Sequence, residues 1–555
     1  MKSLLAKLTG GGIGGAAIIV AIGILASRLL GIIRDMIFAA MLGADGLTDI
    51  YVAAFRIPDF ANYLLAGGFL TITFIPIFSK YLADDDEHGG WEAFSSILKW
   101  LSVGTIALIV AAWFAAPTLI DLLYPDFSPE QVASTTQLTR IVLPAQFAFV
   151  VGAMFAAVQY AKGVFTIPTL APIAYNLGII TGGVTYALVV GEPDPAGFIW
   201  GALIGAFVGN FALQVWGAMR VGMVFNIRSS WKNPAILTYM AIALPLMLGQ
   251  SIVALDELFM SVFGEMTGSG SQTNLQYARR VMFVPIGVVA QAAAVAAYPT
   301  LARLFAENKR TEMLATVNKA LKTVLILSIG AAGIVAAMTV PAVRVLFERG
   351  AFTSTETGIV ASALFMYAFG IPVWGALQII TRAFYAKRKM WTPVLVGTAI
   401  TFLAVPAYFV AVETIGFEGV AITSVLTLGL YTSVLIAIWY WPADARSGLA
   451  EVMSDAGRAI PLAVPASFAA AGIAWLITDK LPGPTGLAAL IALIIGAVVY
   501  AGLALGIGSA LYDWLWRSAD KKTPSAVPPS TPEPSVPPST PEPSVPPSRG
   551  TAEER

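Results

Sequence analysis

Cysteine is missing from all 555 residues, and histidine occurs once. The first absence excludes disulfides, thiol chemistry and cysteine-held metal clusters. The second leaves only His88, a solvated residue in the polar run "ADDDEHGG" (83–90). Charge is scarce as well. Asp, Glu, Lys and Arg make up 12% of the chain, against roughly 25% in an average soluble domain. Thirty-three basic and 33 acidic residues cancel, so net charge points to no nucleic acid and no acidic partner. No GxxxxGK[ST], HExxH or CxxC occurs, which removes the common signatures of nucleotide hydrolysis, zinc peptidase and thiol redox chemistry. The run "ADDDE" (83–87) could attract a divalent ion, but in a short loop it reads as a solvated turn.

What is present is apolar. Hydrophobic residues make up 57% of the chain and the mean hydropathy is +0.77, the composition of a polytopic all-α membrane protein. A span needs about 20 predominantly apolar residues. That criterion predicts about fourteen transmembrane helices, near 13–42, 47–82, 93–123, 131–161, 166–190, 197–222, 235–263, 273–304, 314–347, 357–386, 392–412, 417–441, 456–478 and 486–515. Lys2 and Lys7 before the first apolar run resemble a signal peptide, but the run continues to Leu42 and reads as an uncleaved helix. Alternate connections are basic, among them Lys80 and Lys99, Lys162, Arg228 and Lys232, Lys309 and Arg310, and Lys387 to Lys389. The connections between carry Asp45, Asp126, Asp194, Glu265, Glu356 and Glu413. By the positive-inside rule both termini are cytoplasmic.

A repeat runs through the spans. "YAKGVFTIP" (160–168) and "YAKRKMWTP" (385–393) share Tyr-Ala-Lys and a proline, 225 residues apart. Arg56 and Arg280, Pro76 and Pro299, and Pro117 and Pro341 recur at 223 to 224. That distance holds six helices, so the two halves share one topology and a pseudo-twofold axis along the membrane normal. The expected organisation is an N-lobe (1–222), a cytoplasmic linker (223–234), a C-lobe (235–441), two additional helices (442–517) and a tail (518–555). The tail repeats "TPEPSVPPS" in tandem and has the proline density of a disordered extension.

Charges inside the spans are the functional signal, because an arginine near mid-bilayer costs roughly 2.5–3.5 kcal/mol on insertion scales. Arg28 lies near the bilayer centre of the first helix, and Arg34 stands two turns nearer the outer surface. Arg56 precedes Pro58, and its repeat partner Arg280, with Arg279 beside it, precedes Pro285. Guanidinium groups around a cavity between lobes would grip an anion with paired hydrogen bonds, and a pyrophosphate suits them. The bland reading pairs them with Asp35, Asp49, Asp256 and Glu257.

The stretch "SRLLGIIRDMIFAAMLGADGLTDIYVAAFRIPDFANYLLAGGFLTITFIPIFSKYL" (27–82) resembles the opening of the MurJ/MviN family of lipid II flippases. "YARRVMFVPIG" (277–287), "LFERGAFT" (346–353) and "TRAFYAKRKMWTP" (381–393) resemble later blocks of that family in the same order. The resemblance implies the two-lobed fold of the multidrug/oligosaccharidyl-lipid/polysaccharide exporters, with the last two helices grooved for a polyprenyl tail. It implies translocation of undecaprenyl-pyrophosphoryl-MurNAc(pentapeptide)-GlcNAc from the inner to the outer leaflet of the bacterial cytoplasmic membrane. The work is that of a transporter, with lipid II, membrane lipids and the peptidoglycan synthesis machinery as partners. Carried over by motif, the cavity arginines are Arg28, Arg34 and Arg280, joined by Arg56 and Arg279. Asp35, Asp49 and Asp256 are gating or charge-balancing acids. No cofactor is implied; coupling would come from the membrane potential or a monovalent cation, with Asp256 as a candidate sodium ligand. The chain departs from the family pattern at Asn62, Tyr63 and Gly67, where many relatives carry two arginines and a glutamate. It departs again at Arg279 and Phe283, where acids are common. The alternatives are a flippase for another polyprenyl-pyrophosphate-linked oligosaccharide, and a membrane-embedded enzyme or scaffold.

Overall fold

A computed structural model of the chain describes residues 13–65, 69–480 and 485–520, all of whose regular structure is helical. The first expected span is one helix, α1 (Ile13–Leu42), ended by Gly43 at φ +73°. The second is in two pieces, α2 (Gly46–Leu65) and α3 (Phe69–Ala83). Asp86 caps α4 (Glu87–Leu123) by accepting from the Gly89 N–H. A Ser128/Gln131 capping box opens α5 (Pro129–Val142), and Leu143 and Pro144 separate it from α6 (Ala145–Ala161). There follow α7 (Thr166–Val190), α8 (Pro195–Gly205), a π-helical stretch Ala206–Ala212 and α9 (Leu213–Arg220).

After the connection 221–233 the chain runs through α10 (Pro234–Glu265), α11 (Ser271–Ile286), a second π-helical stretch Gly287–Gln291 and α12 (Ala292–Ala306). The helices α13 (Arg310–Ala337), α14 (Thr339–Leu346), α15 (Ser354–Ala368), α16 (Gly370–Ala386), α17 (Trp391–Thr414) and α18 (Phe417–Trp439) come next. The last three are α19 (Ala443–Gly457), α20 (Ile460–Lys480) and α21 (Thr485–Asp520). The chain divides into a unit of residues 1–505 and a second of 506–555. The Pro/Ser-rich repeat predicted for the tail lies outside the described residues.

Among the described residues nine helices are long and apolar enough to cross a membrane, or ten if α15 and α16, bent by 46° at Phe369, are one span. The expected fourteen differ from this chiefly where spans are broken or charged. One expected loop is a helix: α19 occupies 443–457 because Ala445, Leu449, Val452 and Ala456 form an apolar stripe at helical spacing. It packs against α13, with Asp444 3.0 Å from Arg310 and Asp455 paired with Lys322.

Packing between helices in lipid draws little from hydrophobicity, since lipid tails are as apolar as leucine; small residues and close contact supply it. The seam between α7 and α8 shows this. A Cβ on Gly178 would fall 2.6 Å from the Cα of Gly205, and one on Gly182 would fall 2.4 Å from the Cα of Gly201. An aromatic core of Phe74, Phe78, Trp91, Phe94 and Phe155 joins α3, α4 and α6. The connection 221–233 is held to α4 by Lys99, which donates to the Ser229 carbonyl, and by Trp100 Nε1, which donates to the Trp231 carbonyl at 3.0 Å.

Candidate functional site

Three polar clusters sit where α1, α2, α10 and α11 meet. The first lies at the Gly43 end of α1. The N–H groups at the start of α11 have no intrahelical acceptors, and a carboxylate from another helix fills the gap. Asp49 of α2, fully buried, accepts from the Gly270 N–H, from the Thr273 N–H at 3.1 Å and from Thr273 Oγ1 at 2.7 Å. Gln272 Nε2 returns a bond to the Asp49 carbonyl at 3.0 Å. The "LFERGAFT" block is a turn seated on the end of α1. Its Ala351 N–H donates to the Ala40 carbonyl at 2.8 Å, and Glu356 accepts from the Ala44 N–H at 3.0 Å. Gly270 (φ +81°) permits the approach, since a Cβ there would stand 2.3 Å from the Ala44 carbonyl oxygen. This end is shut.

The second cluster lies two turns along α1. Asp35 Oδ1 accepts from Arg34 at 2.9 Å and pairs with Arg280 of α11. Arg34 also donates to Asn176 of α7 at 3.0 Å. Two guanidiniums therefore share one carboxylate, and Arg280 stays a third exposed. The free space among Arg34, Asp35, Tyr51, Thr273, Tyr277 and Arg280 is ≈ 10 Å³, room for about one water. No sugar phosphate fits there in this conformation.

The third cluster joins two buried arginines to two half-buried acids. Arg279 reaches Asp256 at 2.6 Å and Glu257 at 4.0 Å, while Arg56 lies 3.8 Å from Glu257. Ser424 of α18 donates to Asp256 at 3.0 Å, and the Tyr63 hydroxyl lies 3.4 Å from Glu257. Arg56 and Arg279 are 5% and 4% exposed. Removing one partner of such a pair leaves a buried charge uncompensated, at a cost of about 3–5 kcal/mol. The expected pairing with acids is seen at these two, as it is at Arg34 and Arg280 with Asp35. Arg279 also lies 5.4 Å from the centre of the Phe283 ring, so the two departures from the family pattern occur together as a cation–π contact. A sodium ion at Asp256 would have to compete with Arg279 and Ser424.

Arg28 stands apart. It is exposed, with no acid beside it among the described residues, and it donates to Gln291 Oε1 across the interface of α1 with the second π-helical stretch. Gly287 makes room for it, because a Cβ there would fall 1.7 Å from Arg28 Nη1. Of the five expected arginines, Arg28 is exposed and Arg280 a third exposed, Arg34 is engaged by Asp35 and Asn176, and Arg56 and Arg279 are buried against acids. The sequence reading passed over Gln291, Asn176 and Ser424, uncharged residues that leave no electrostatic signal in an apolar span. Gly67 lies outside the described residues.

A separate apolar groove of ≈ 590 Å³ runs between α13, α15, α16 and α20, lined by Ile329, Phe365, Phe369, Ile460 and Phe468.

The family model described as "Lipid II flippase MurJ" matches residues 38–493. A "Probable lipid II flippase MurJ" of Rhizobium meliloti is 26% identical over 508 residues, covering 90% of this chain and 94% of the relative. A solved structure described as "Lipid II flippase MurJ, inward closed conformation" superposes with a TM-score of 0.71 at 22% identity, over 90% of this chain and 100% of that one. A MATE-family multidrug transporter of the MOP superfamily in an inward-facing conformation gives 0.61 at 14% identity, over 79% and 98%. At these identities the structural likenesses speak for the fold.

Proposed function

The chain belongs to the lipid II flippase MurJ family, and from that premise we propose that it carries lipid II from the inner to the outer leaflet of the cytoplasmic membrane by alternating access. The family match over most of its length carries this reading and favours it over a flippase for another polyprenyl-linked sugar. The protein is a multi-pass membrane transporter, and its work is translocation with no bond made or broken.

In the proposed mechanism residues 1–222 and 235–441 form two lobes, with both termini cytoplasmic. The Asp49 lock closes the outer side, and the arginines bind from the inner one. Arg28 meets the pyrophosphate first. The substrate's phosphate oxygens then replace Asp35 on Arg34 and Arg280, in the forked geometry that guanidinium favours. Asp35 thus keeps the two arginines paired when no substrate is bound. The polyprenyl tail stays in the bilayer along the groove beside α20. No cofactor takes part. Coupling to the membrane potential fits the site better than a sodium ion, because Arg279 and Ser424 hold Asp256. Partners beyond lipid II and the surrounding lipids come from the peptidoglycan synthesis machinery.

Depletion of the protein in its host tests the reading. Lipid II should accumulate in the cytoplasmic leaflet and become inaccessible to an externally added lipid II-cleaving enzyme. Unchanged accessibility after depletion refutes it.

A further inference from the structure

Outside the three clusters, a groove of ≈ 920 Å³ opens on the surface formed by α4, α5 and α8. Pro117, Val132, Ile141 and Trp200 give it apolar walls, and Arg140 lies within it. Arg140 stacks over the Trp113 ring at 4.2 Å and spends its Nε–H on the Trp113 carbonyl at 3.1 Å. Its other nitrogens meet no carboxylate among the described residues. Trp113 stands ten residues before the end of α4, a helix of 37 residues, about 55 Å by helical rise and so longer than the roughly 30 Å apolar core of a bilayer.

The repeat explains the groove and isolates the arginine. Trp113, Ile141 and Pro144 line it, and the residues 224 positions later, Ala337, Phe365 and Ala368, line the groove beside α20. The two grooves are counterparts. The second is roofed by α20; the first has no corresponding helix across it among its lining residues. At the position of Arg140 the second half carries Leu364, which is fully buried. One half covers its groove with protein, and the other leaves it open and adds a single positive charge.

We propose that the groove of α4, α5 and α8 binds an anionic glycerophospholipid, its phosphate on Arg140 and an acyl chain along the walls. Charge selects the occupant. A guanidinium with unused N–H groups at an apolar wall matches a phosphodiester bearing a hydrocarbon chain, and the flanking tryptophans suit the headgroup level of a bilayer.

Tryptophan quenching in reconstituted vesicles tests the proposal. The full chain and its Trp113→Phe variant are placed in phosphatidylcholine containing a minor fraction of either brominated phosphatidylglycerol or brominated phosphatidylcholine. The difference between the two proteins isolates Trp113. Phosphatidylglycerol should be enriched about fivefold at Trp113 over phosphatidylcholine, the preference expected of one basic residue for an anionic lipid. Arg140→Gln should remove the preference and Arg140→Lys keep most of it. Equal quenching by the two lipids in the unsubstituted chain overturns the proposal even if Arg140→Gln fails to fold. An undiminished preference in Arg140→Gln overturns it as well. So does relief of quenching by unlabelled polyprenyl phosphate and not by unlabelled phosphatidylglycerol, which would assign the groove to an isoprenoid lipid.

Discussion

Replacing Asp49 with alanine should open the outer gate, and the structure says by how much. The substitution deletes the acceptor for the Gly270 and Thr273 N–H groups and for the Thr273 hydroxyl. The hydroxyl can rotate to another partner; the two N–H groups cannot. A hydrogen bond to a charged group contributes about 1.5–3 kcal/mol. Taking the low end for two of them, the closed state loses about 3 kcal/mol, or about 100-fold in the closed-to-open ratio. Asp49→Asn keeps a neutral acceptor and should shift the ratio only about tenfold. Because the chain has no cysteine, a single introduced thiol reports without background. Asn274, 4% exposed and one turn into α11, is a suitable place. The rate at which a membrane-impermeant maleimide labels Asn274→Cys should rise in the order native, Asp49→Asn, Asp49→Ala. Unchanged labelling in Asp49→Ala at normal protein levels would refute the assignment of this cluster as the lock.

The arginines divide into two kinds that one experiment separates. Arg28→Ala and Arg280→Ala should accumulate yet fail to complement, with lysine rescuing only in part because it loses the bidentate fork. Arg279→Ala, which leaves the half-buried Asp256 without its cation, should accumulate poorly. A disulfide between Gly46→Cys and Ser269→Cys, whose native positions bring a Cβ within 3.0 Å of the serine oxygen, should form readily, stop flipping and release it on reduction. Flipping that continues through a fully formed disulfide would exclude opening at this gate. For topology, probes near Asp45, Asp194 and Glu413 should be reached from outside intact cells, and probes near Asp85 and Lys309 only after permeabilisation; external labelling at Lys309 would refute the orientation.

Much of this architecture is legible in one dimension. Spans 13–42 and 166–190 coincide with α1 and α7, because an uninterrupted apolar run under one helical register leaves its length in the sequence. The breaks are not legible. Nothing apolar distinguishes Phe369, where α15 and α16 bend, or the five residues of the second π-helical stretch, because a slip in hydrogen-bond register changes no residue's hydropathy. The arginines are visible as an electrostatic anomaly, but their partners are not. Asp35 and Arg280 are 245 positions apart, and only packing decides that Asp35 serves two cations while Asp256 serves Arg279. The repeat was the most informative long-range signal, since it relates two grooves that share no residue identity at three matched wall positions.

The glycine seam between α7 and α8 has a mechanical consequence. Where side chains interdigitate, two helices can slip by exchanging rotamers, and part of any applied displacement is absorbed as repacking. A contact of backbone on backbone has no rotamers to exchange. Gly178 and Gly182 against Gly201 and Gly205 therefore make a stiff joint, and α1, which packs on α7, is attached to a lever more than to a cushion. Strain imposed at Arg28 travels along α1 toward Gly43 with little loss. A bulky residue in the seam would act as a soft spring, and the cost would appear in the timing between substrate capture and gate release more than in how well the protein folds.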